Sequence, residues 1–205
     1  MDFVTTIFSI AILICSIMFH ELAHGTVAHW LGDPTAQLSG RLTINPIRHL
    51  EWIGSFFVPL LCIISGSGFI IGWAKPIPFN PQFFKNKRWG EALVAIAGPS
   101  INSIFAIIGA IILRIPSLMI TSSLQYSIAT IVVVNIALAV FNLIPVPPLD
   151  GHHVVGAIFP WYQKWSNSLM QQYGIVIIIL VIFLAGSLVD PIISFFINLA
   201  IPSLL

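Results

Sequence analysis

The sequence predicts an all-α polytopic membrane protein with about five to six transmembrane segments, a re-entrant element and a short membrane-associated β-strand region. Of its 205 residues, 58% are hydrophobic and 7% are charged, whereas soluble domains carry roughly 25% charged residues. The mean hydropathy is +1.00. We expect one integral-membrane domain over residues 1–205, with a core over about 3–155 and C-terminal helices over about 169–205.

Charge and cysteine content exclude some classes of protein. A net charge of +1 without a dense basic run argues against a nucleic-acid partner. The apolar composition indicates that a lipid bilayer surrounds the chain. Cys15 and Cys62 lie in apolar stretches, which indicates free thiols and no disulfide framework. No cleavable signal peptide is expected, because the first apolar segment carries the polar motif described below.

The first apolar segment covers about residues 3–31, long enough to span a bilayer as a helix. Gly32-Asp33-Pro34 ends it. Within residues 37–45, polar and apolar side chains alternate from Arg41 to Asn45 before Pro46, which predicts a short β-strand. A bare strand cannot face lipid, so we expect this one to be covered by protein or to lie at the interface.

Residues 52–73 are apolar but are broken by Pro59 and by Ser65-Gly-Ser-Gly68. This segment therefore either spans the membrane or enters and leaves on one side. Residues 75–81 predict an extended, proline-stiffened loop. Further spanning candidates are residues 91–113, 123–144 and 169–188. The last stretch, 192–205, either spans or lies at the surface.

One polar cluster, His20-Glu21-Leu22-Ala23-His24, lies within the first apolar segment. Residues four apart share one face of a helix, so His20 and His24 can bind one metal ion together. This H-E-x-x-H pattern is typical of zinc peptidases, in which the glutamate is the general base. Ionisable groups cost about 2.5–3.5 kcal/mol each at the centre of a bilayer on insertion scales, which favours a functional role.

Catalytic zinc takes three protein ligands and keeps one position open, so the two histidines need a third partner. The acids that lie at helix ends or in loops are Asp2, Asp33, Glu51, Glu91 and Asp190. Asp150 instead follows a spanning segment at Pro147-Pro-Leu-Asp-Gly151, where the chain can turn a side chain into the protein. We therefore choose Asp150, which without the zinc motif would be interpreted as an ordinary turn residue.

Two motifs together, His20-Glu-Leu-Ala-His-Gly25 and Asn142-Leu-Ile-Pro-Val-Pro-Pro-Leu-Asp-Gly151, resemble the site-2 protease family of intramembrane metalloproteases. The stretches Gly98-Pro-x-x-Asn102 and Gly40-Arg-Leu-Thr-Ile-Asn-Pro46 are similar to that family as well. Gly72-Trp-Ala-Lys-Pro-Ile-Pro78 resembles its compact members, which have no PDZ or CBS domain. The resemblance covers roughly residues 3–155.

The resemblance implies one Zn²⁺ per chain, bound by His20, His24 and Asp150. It implies that Glu21 is the catalytic base and that Asn142 helps to position the scissile carbonyl or its oxyanion, with Asn102 a weaker candidate. The implied reaction is hydrolysis of peptide bonds in or near transmembrane segments of membrane-protein substrates, that is, regulated intramembrane proteolysis.

Four other histidines are expected to lie outside the ligand set. His152 and His153 stand where compact members carry a small residue and then Arg or Lys, and we expect both at the membrane surface without metal. A role in supporting the ligands, or an adventitious metal site, remains open for that pair. His29 is off the face of the zinc motif and His49 is in a loop, so both are expected to be structural.

The two ligand motifs must lie at one depth, which predicts that their helices run parallel with residues 91–113 crossing between them. Residues 52–73 would then re-enter. In that arrangement Arg114 lies on one face and the seven other Lys and Arg residues on the opposite face, a split that the positive-inside rule prefers to five against three. The predicted active site therefore lies near the cytosolic face of the plasma membrane, with the N-terminus outside.

A peptide bond in a helix is shielded, so a substrate helix must unwind, and the predicted strand at 41–45 offers an edge that could hold it extended. One alternative is a membrane metal-ion transporter or permease that uses His20, His24 and Asp150 as an ion site. A transporter predicts inverted repeats and a polar path, which the sequence does not show. A second alternative is a catalytically silent scaffold with structural zinc. The oligomeric state is not indicated.

Overall fold

A computed structural model describes residues 3–65, 74–115, 121–184 and 190–201. Its α-helices, in chain order, are α1 (Phe3–Trp30), α2 (Thr35–Leu38), α3 (Val58–Ser65), α4 (Lys87–Leu113), α5 (Ser122–Asn142), α6 (Asp150–Ile158), α7 (Pro160–Leu184) and α8 (Asp190–Ala200). Short 3₁₀ helices cover Pro46–Arg48 and Pro81–Phe83, and a π-helix covers Trp52–Phe57. The predicted helical class is confirmed.

Three helices in the described ranges are long and apolar enough to cross a membrane, namely α1, α4 and α5. They agree with three of the predicted spanning segments, and their length and composition indicate an integral membrane protein. The predicted span 169–188 falls on α7 and on residues 185–188, and the latter lie outside the described residues. The predicted total of about five to six spans is therefore not reached by the helices described.

Helix α4 begins earlier than the sequence predicted, at Lys87. The Asn86 side chain caps it by accepting from the backbone N–H of Trp89, as asparagine commonly does at this position. Glu91 therefore lies beyond the first turn, and its interpretation as a first-turn charge is wrong. Its carboxylate contacts His153 Nδ1 at 3.6 Å instead.

Contacts along α1 and α4 give the relative direction of these two helices. His24 of α1 contacts the carbonyl of Val94, and His20, one turn earlier in α1, contacts Asn102, two turns later in α4. Residue numbers therefore rise along α1 as they fall along α4, and the two helices are antiparallel. Phe19 and Phe105, whose ring centroids are 5.3 Å apart, agree with this direction.

Helix α5 is antiparallel to α4 in turn. Asn102 donates to Asn135, and Gly109, two turns further along α4, lies against Val132. Because α1 and α5 both oppose α4, they run parallel, and the predicted arrangement of one crossing between two parallel helices is confirmed. A hydrophobic cluster fills the interface of α4 and α5 near α8: Ala106, Ala129, Val132, Ile136 and Ile201.

The predicted β-strand over residues 37–45 is wrong. The stretch begins in α2 and turns at Gly40, whose φ of +65° suits glycine because it lacks a Cβ. Arg41 N–H donates to Ala36 O and Gly40 N–H donates to Gln37 O, which is the pair of bonds that ends a helix in a Schellman motif. Helix capping therefore uses the backbone groups that a strand would offer to a partner.

The two residues that flank the stretch 50–74, His49 and Lys75, lie next to each other. The backbone N–H of Lys75 donates to His49 O at 2.8 Å, which places the two ends of the intervening segment side by side. The extended stretch that follows is held by Asn80 N–H, which donates to the buried Asp33 carboxylate at 2.5 Å. The predicted re-entrant element falls partly on residues 66–73, which lie outside the described residues.

Candidate metal centre

Two imidazoles and one carboxylate converge beside the C-terminal half of α1. Nε2 of His20 lies 3.0 Å from Nε2 of His24. Oδ2 of Asp150, at the start of α6, lies 3.1 Å from the first nitrogen and 3.4 Å from the second. The two histidines are buried, with 6% and 9% of their surface exposed. Asp150 thus meets two histidines that lie 126 and 130 positions earlier in the sequence.

Gly151 explains how α6 brings Asp150 to this point. The loop of residues 143–149 reverses the chain after α5, and α6 then starts directly against the loop backbone. A Cβ on Gly151 would collide with the carbonyl oxygen of Leu143 and would lie 2.6 Å from that of Ile144. The absence of a side chain therefore permits the close approach that places Asp150 beside the histidines.

Nδ1 of each imidazole, the ring nitrogen that points away from Asp150, faces a hydrogen-bond acceptor. His24 Nδ1 lies 2.7 Å from the carbonyl oxygen of Val94, and His20 Nδ1 lies 2.6 Å from the amide oxygen of Asn102. A carbonyl oxygen can only accept, so each Nδ1 carries the proton and donates it. Both Nε2 atoms are then unprotonated in the neutral rings and direct lone pairs at the shared point.

This donor set fits a zinc ion. Oδ2 of Asp150 is buried and no hydrogen-bond donor reaches it among the described residues. Two lone pairs and a carboxylate oxygen at 3.0–3.4 Å repel one another unless a proton or a cation lies between them. Imidazole nitrogen and carboxylate oxygen are ligands that Zn²⁺ accepts, and tetrahedral binding at about 2.0–2.2 Å separates donors by roughly 3.3–3.5 Å.

The Asp150 carboxyl is ionised at neutral pH. Burial raises its pKa, but a proton on Nε2 of His20 or His24 donates a hydrogen bond to the carboxylate and adds charge beside it, which outweighs burial and lowers the pKa to about 2. The group is therefore an acceptor under all physiological conditions. This is the charge state that metal ligation requires.

Glu21 lies beside the same point without belonging to the convergent three. Ligand atoms of His20, Glu21 and His24 all lie within 4.8 Å of one another. Oε2 of Glu21 accepts a hydrogen bond of 2.9 Å from the backbone N–H of Ile77, in the proline-flanked extended stretch. The carboxylate is thus oriented by a backbone N–H and lies adjacent to the two imidazoles, a position that suits a general base.

Gly98 of α4 forms the opposite wall of the centre. A Cβ at this position would lie 2.5 Å from His20 Cε1, 2.6 Å from His20 Nε2 and 2.6 Å from His24 Cε1. The two rings therefore pack on the bare backbone of α4. The Gly98-Pro99 stretch, noted above for its similarity to the site-2 protease family, therefore borders the site.

The two candidate asparagines have different surroundings. Asn142, the last residue of α5, donates its side-chain N–H to Leu138 O at 3.0 Å, within its own helix. Asn102 is fully buried and contacts His20. Of the two, the structure brings Asn102 to the histidines, while the described hydrogen bond of Asn142 is local.

The remaining histidines are spread over the fold. His152 is 3% exposed and its Nδ1 lies 3.1 Å from Ser166 Oγ, so its side chain is buried in the protein. The reason is that α7 packs on α6 and covers it. His29 is exposed, and His49 is buried with Nε2 donating to Thr43 O.

Sequence reasoning missed one set of polar residues behind His20. Asn135 of α5 and Ser16 of α1 are buried and extend the contact between His20 and Asn102 deeper into the helices. The available signal was an asparagine inside an otherwise apolar helix, where polar groups need partners. That signal predicts a polar partner for Asn135 but does not identify the partner residue.

Comparison with known proteins adds independent support. The model of peptidase family M50 matches residues 8–118 and 114–186. A Bacillus subtilis protein named "Putative zinc metalloprotease YwhC" is 38% identical over 178 residues, which are 83% of this chain and 77% of that protein. "Putative zinc metalloprotease Rip2" of Mycobacterium tuberculosis is 28% identical over 176 residues, 84% of this chain and 65% of its own length. No solved structure matches the chain.

The family match covers most of the chain, including both ligand motifs. It agrees with the resemblance drawn from those motifs, and nothing in the comparisons supports the transporter alternative. The chain belongs to peptidase family M50, the family of the site-2 proteases.

Proposed function

We propose that this protein is an intramembrane zinc metalloprotease that hydrolyses peptide bonds in or near transmembrane segments of other membrane proteins. The observation that carries the proposal is the convergence of His20 Nε2, His24 Nε2 and Asp150 Oδ2 at 3.0–3.4 Å. These atoms would hold one zinc ion. The family match supports the same activity, and the names of the relatives support the metal.

Each residue of the centre has a distinct role in the proposed reaction. A bound Zn²⁺ supplies the Lewis acidity that activates water and polarises a carbonyl group. Glu21 takes the proton of the attacking water and passes it to the leaving amine. The N–H of Ile77 holds the Glu21 carboxylate toward the centre. Asn142 offers a hydrogen bond to the substrate carbonyl or its oxyanion, because its amide has a second N–H besides that given to Leu138.

The substrate is a peptide segment that has left the helical state. The centre is buried between α1, α4 and α6, so a peptide bond must be extended to reach it. The strand edge expected at 41–45 is not formed, and it cannot hold this segment. A membrane-protein substrate with a helix that unwinds readily is the partner that fits.

The proposed topology places the centre near the cytosolic face of the plasma membrane. The hydrogen bond from Lys75 to His49 supports a re-entrant path for residues 52–73, because both ends of the segment then lie at one depth. With that path, Arg114 lies opposite the other basic residues, as the positive-inside rule favours. The remaining spans of the proposed five to six would come from the C-terminal helices, within one domain over residues 1–205.

Zinc stoichiometry tests the proposal directly. The protein is purified in detergent, and metal content is measured for wild type, His20→Ala and Asp150→Ala. One zinc per chain, lost or weakened in both variants, is expected. His29→Ala is the matched control, because His29 is exposed on the same helix. Zinc that survives Asp150→Ala undiminished would remove Asp150 from the ligand set.

A further inference from the structure

A chain of buried hydrogen bonds leads from the helix backbone of α5 to His20. Asn135 Nδ2 donates to Ile131 O at 2.9 Å and to Ser16 Oγ at 3.0 Å. Asn102 Nδ2 donates to Asn135 Oδ1 at 2.7 Å, and Asn102 Oδ1 lies 2.6 Å from His20 Nδ1. Both asparagines are 0% exposed, and neither can exchange these partners for water.

The carbonyl oxygen of Ile131 determines the direction of donation along this series of hydrogen bonds. Ile131 O is a carbonyl oxygen and can only accept, so the Asn135 atom that faces it is the amide nitrogen. The other end of the Asn135 amide is then the oxygen, which needs a donor. Asn102 must supply it with its NH₂ group, and the Asn102 oxygen is left facing His20.

The orientation of Asn102 decides which nitrogen of His20 is available. With oxygen toward the ring, Nδ1 carries the proton and Nε2 has the lone pair. If the amide of Asn102 turned over, its NH₂ would face Nδ1, and the ring would keep its proton on Nε2 instead. That tautomer directs an N–H at His24 and Asp150 and cannot bind a metal through Nε2.

We infer that Asn135, which does not touch the metal ligands, is a positioning residue that sets the tautomer of His20 through the amide of Asn102. The inference rests on the proposed zinc centre and adds to it a residue on a third helix. It makes α5 a part of the centre, although the ligands come from α1 and α6. An apolar side chain at 135 would leave Asn102 free to present either end of its amide.

Zinc affinity measured by competition with a chelator tests this inference. Asn135→Leu is expected to weaken zinc binding about 10- to 100-fold, the range known for residues that orient metal-ligating histidines. Asn135→Asp is the matched control, because its carboxyl oxygen still accepts from Asn102, and it should stay within a few-fold of wild type. Ser16→Ala should have a small effect, because Ile131 O still receives the Asn135 donor.

A double variant distinguishes an orienting role of Asn135 from a role in packing. In its ionised form Asn102→Asp has an acceptor oxygen at both ends of its side chain, so it presents an acceptor to His20 however it turns. The double variant Asn102→Asp/Asn135→Leu should therefore bind zinc as tightly as Asn102→Asp alone. A packing role for Asn135 predicts the opposite, since leucine would weaken binding by the same factor in either background.

The outcomes distinguish this inference from the proposed function. Wild type that holds no zinc would overturn the zinc centre itself. Zinc bound by wild type and, with equal affinity, by Asn135→Leu would overturn the positioning role alone, as would a loss in Asn135→Asp as large as in Asn135→Leu. A second measurement needs no variant at Asn135: ¹⁵N-histidine NMR of the chelator-treated protein should show neutral His20 protonated at Nδ1, and protonation at Nε2 would refute the inference. The His20 signal is assigned by its loss in His20→Ala.

Discussion

Gly98 faces His20 across the α1–α4 interface with no room for a side chain, because a Cβ at position 98 would lie 2.5 Å from the His20 ring. The contact joins the polar motif of one spanning helix to the glycine-proline stretch of another. It means that the backbone of α4, rather than a side chain, limits the space beside the imidazoles of His20 and His24. The packing of two apolar helices therefore determines the geometry of the centre.

Gly98→Ala should damage the centre by overpacking. The methyl group must displace rings that are held by hydrogen bonds at Nδ1, and overpacking of this kind costs about 1–3 kcal/mol. We expect zinc affinity to fall at least tenfold, as measured by chelator competition. Ser100→Ala, an exposed change two residues along α4, is the control and should bind zinc like wild type. Equal zinc affinity in Gly98→Ala would contradict the close packing described here.

Gly151→Ala should move Asp150 without touching the histidines. The added methyl group meets the backbone of Leu143 and Ile144, which cannot rotate away as a side chain can. We expect weaker zinc binding and lower proteolysis, approaching the loss in Asp150→Ala. Gly156→Ala is the matched control in α6, because its Cβ would meet the flexible side chain of Gln163 at 3.0 Å or more. Similar losses in both glycine variants would indicate general damage to α6.

The spanning helices and the zinc motif could be predicted from local patterns. The helices α1, α4 and α5 follow from apolar length alone, and His20 and His24 follow from the helical repeat. The strand predicted at 37–45 does not form, because the chain makes a helix-ending turn at Gly40. The alternation of apolar and polar residues does not reveal that turn. The partnership of Asn135 with Asn102 was missed because the two lie 33 residues apart on different helices. Only the packing of α4 between α1 and α5 relates them.

Glu21→Gln should abolish cleavage and preserve the metal centre. The glutamine oxygen can still accept from the Ile77 N–H, so the local fold should persist. Glutamine cannot take a proton from water, so the general base is lost. We expect one zinc per chain by metal analysis, with proteolysis of a reconstituted membrane substrate below detection. Measurable turnover in this variant would require another base.

Zinc binding should weaken as the pH falls. A histidine ligand must be neutral, so protons compete with the metal for Nε2 of His20 and His24. The pKa of Asp150 is about 2, so this carboxylate stays ionised throughout the relevant range. The loss should therefore follow protonation of the two imidazoles, with up to two protons bound per zinc released. Zinc content at fixed chelator concentration between about pH 5 and pH 8 measures it, and constant content down to about pH 4 would contradict histidine ligation.

Cysteine labelling tests the membrane topology. Gln37→Cys and Phe83→Cys flank the segment proposed to re-enter, and both positions are exposed. In a background without Cys15 and Cys62, a membrane-impermeant thiol reagent should label both from the cytosolic face. Ser123→Cys, at the far end of α5, is the control and should be labelled only from the other side.

The labelling result has a direct structural meaning. In the proposed topology, the hydrogen bond between Lys75 and His49 joins two ends of the chain at one depth, so we expect positions 37 and 83 on one face. Labelling of these two positions from opposite faces would show that residues 52–73 cross the membrane. The basic residues would then divide five to three, and the proposed cytosolic location of the centre would lose its charge argument.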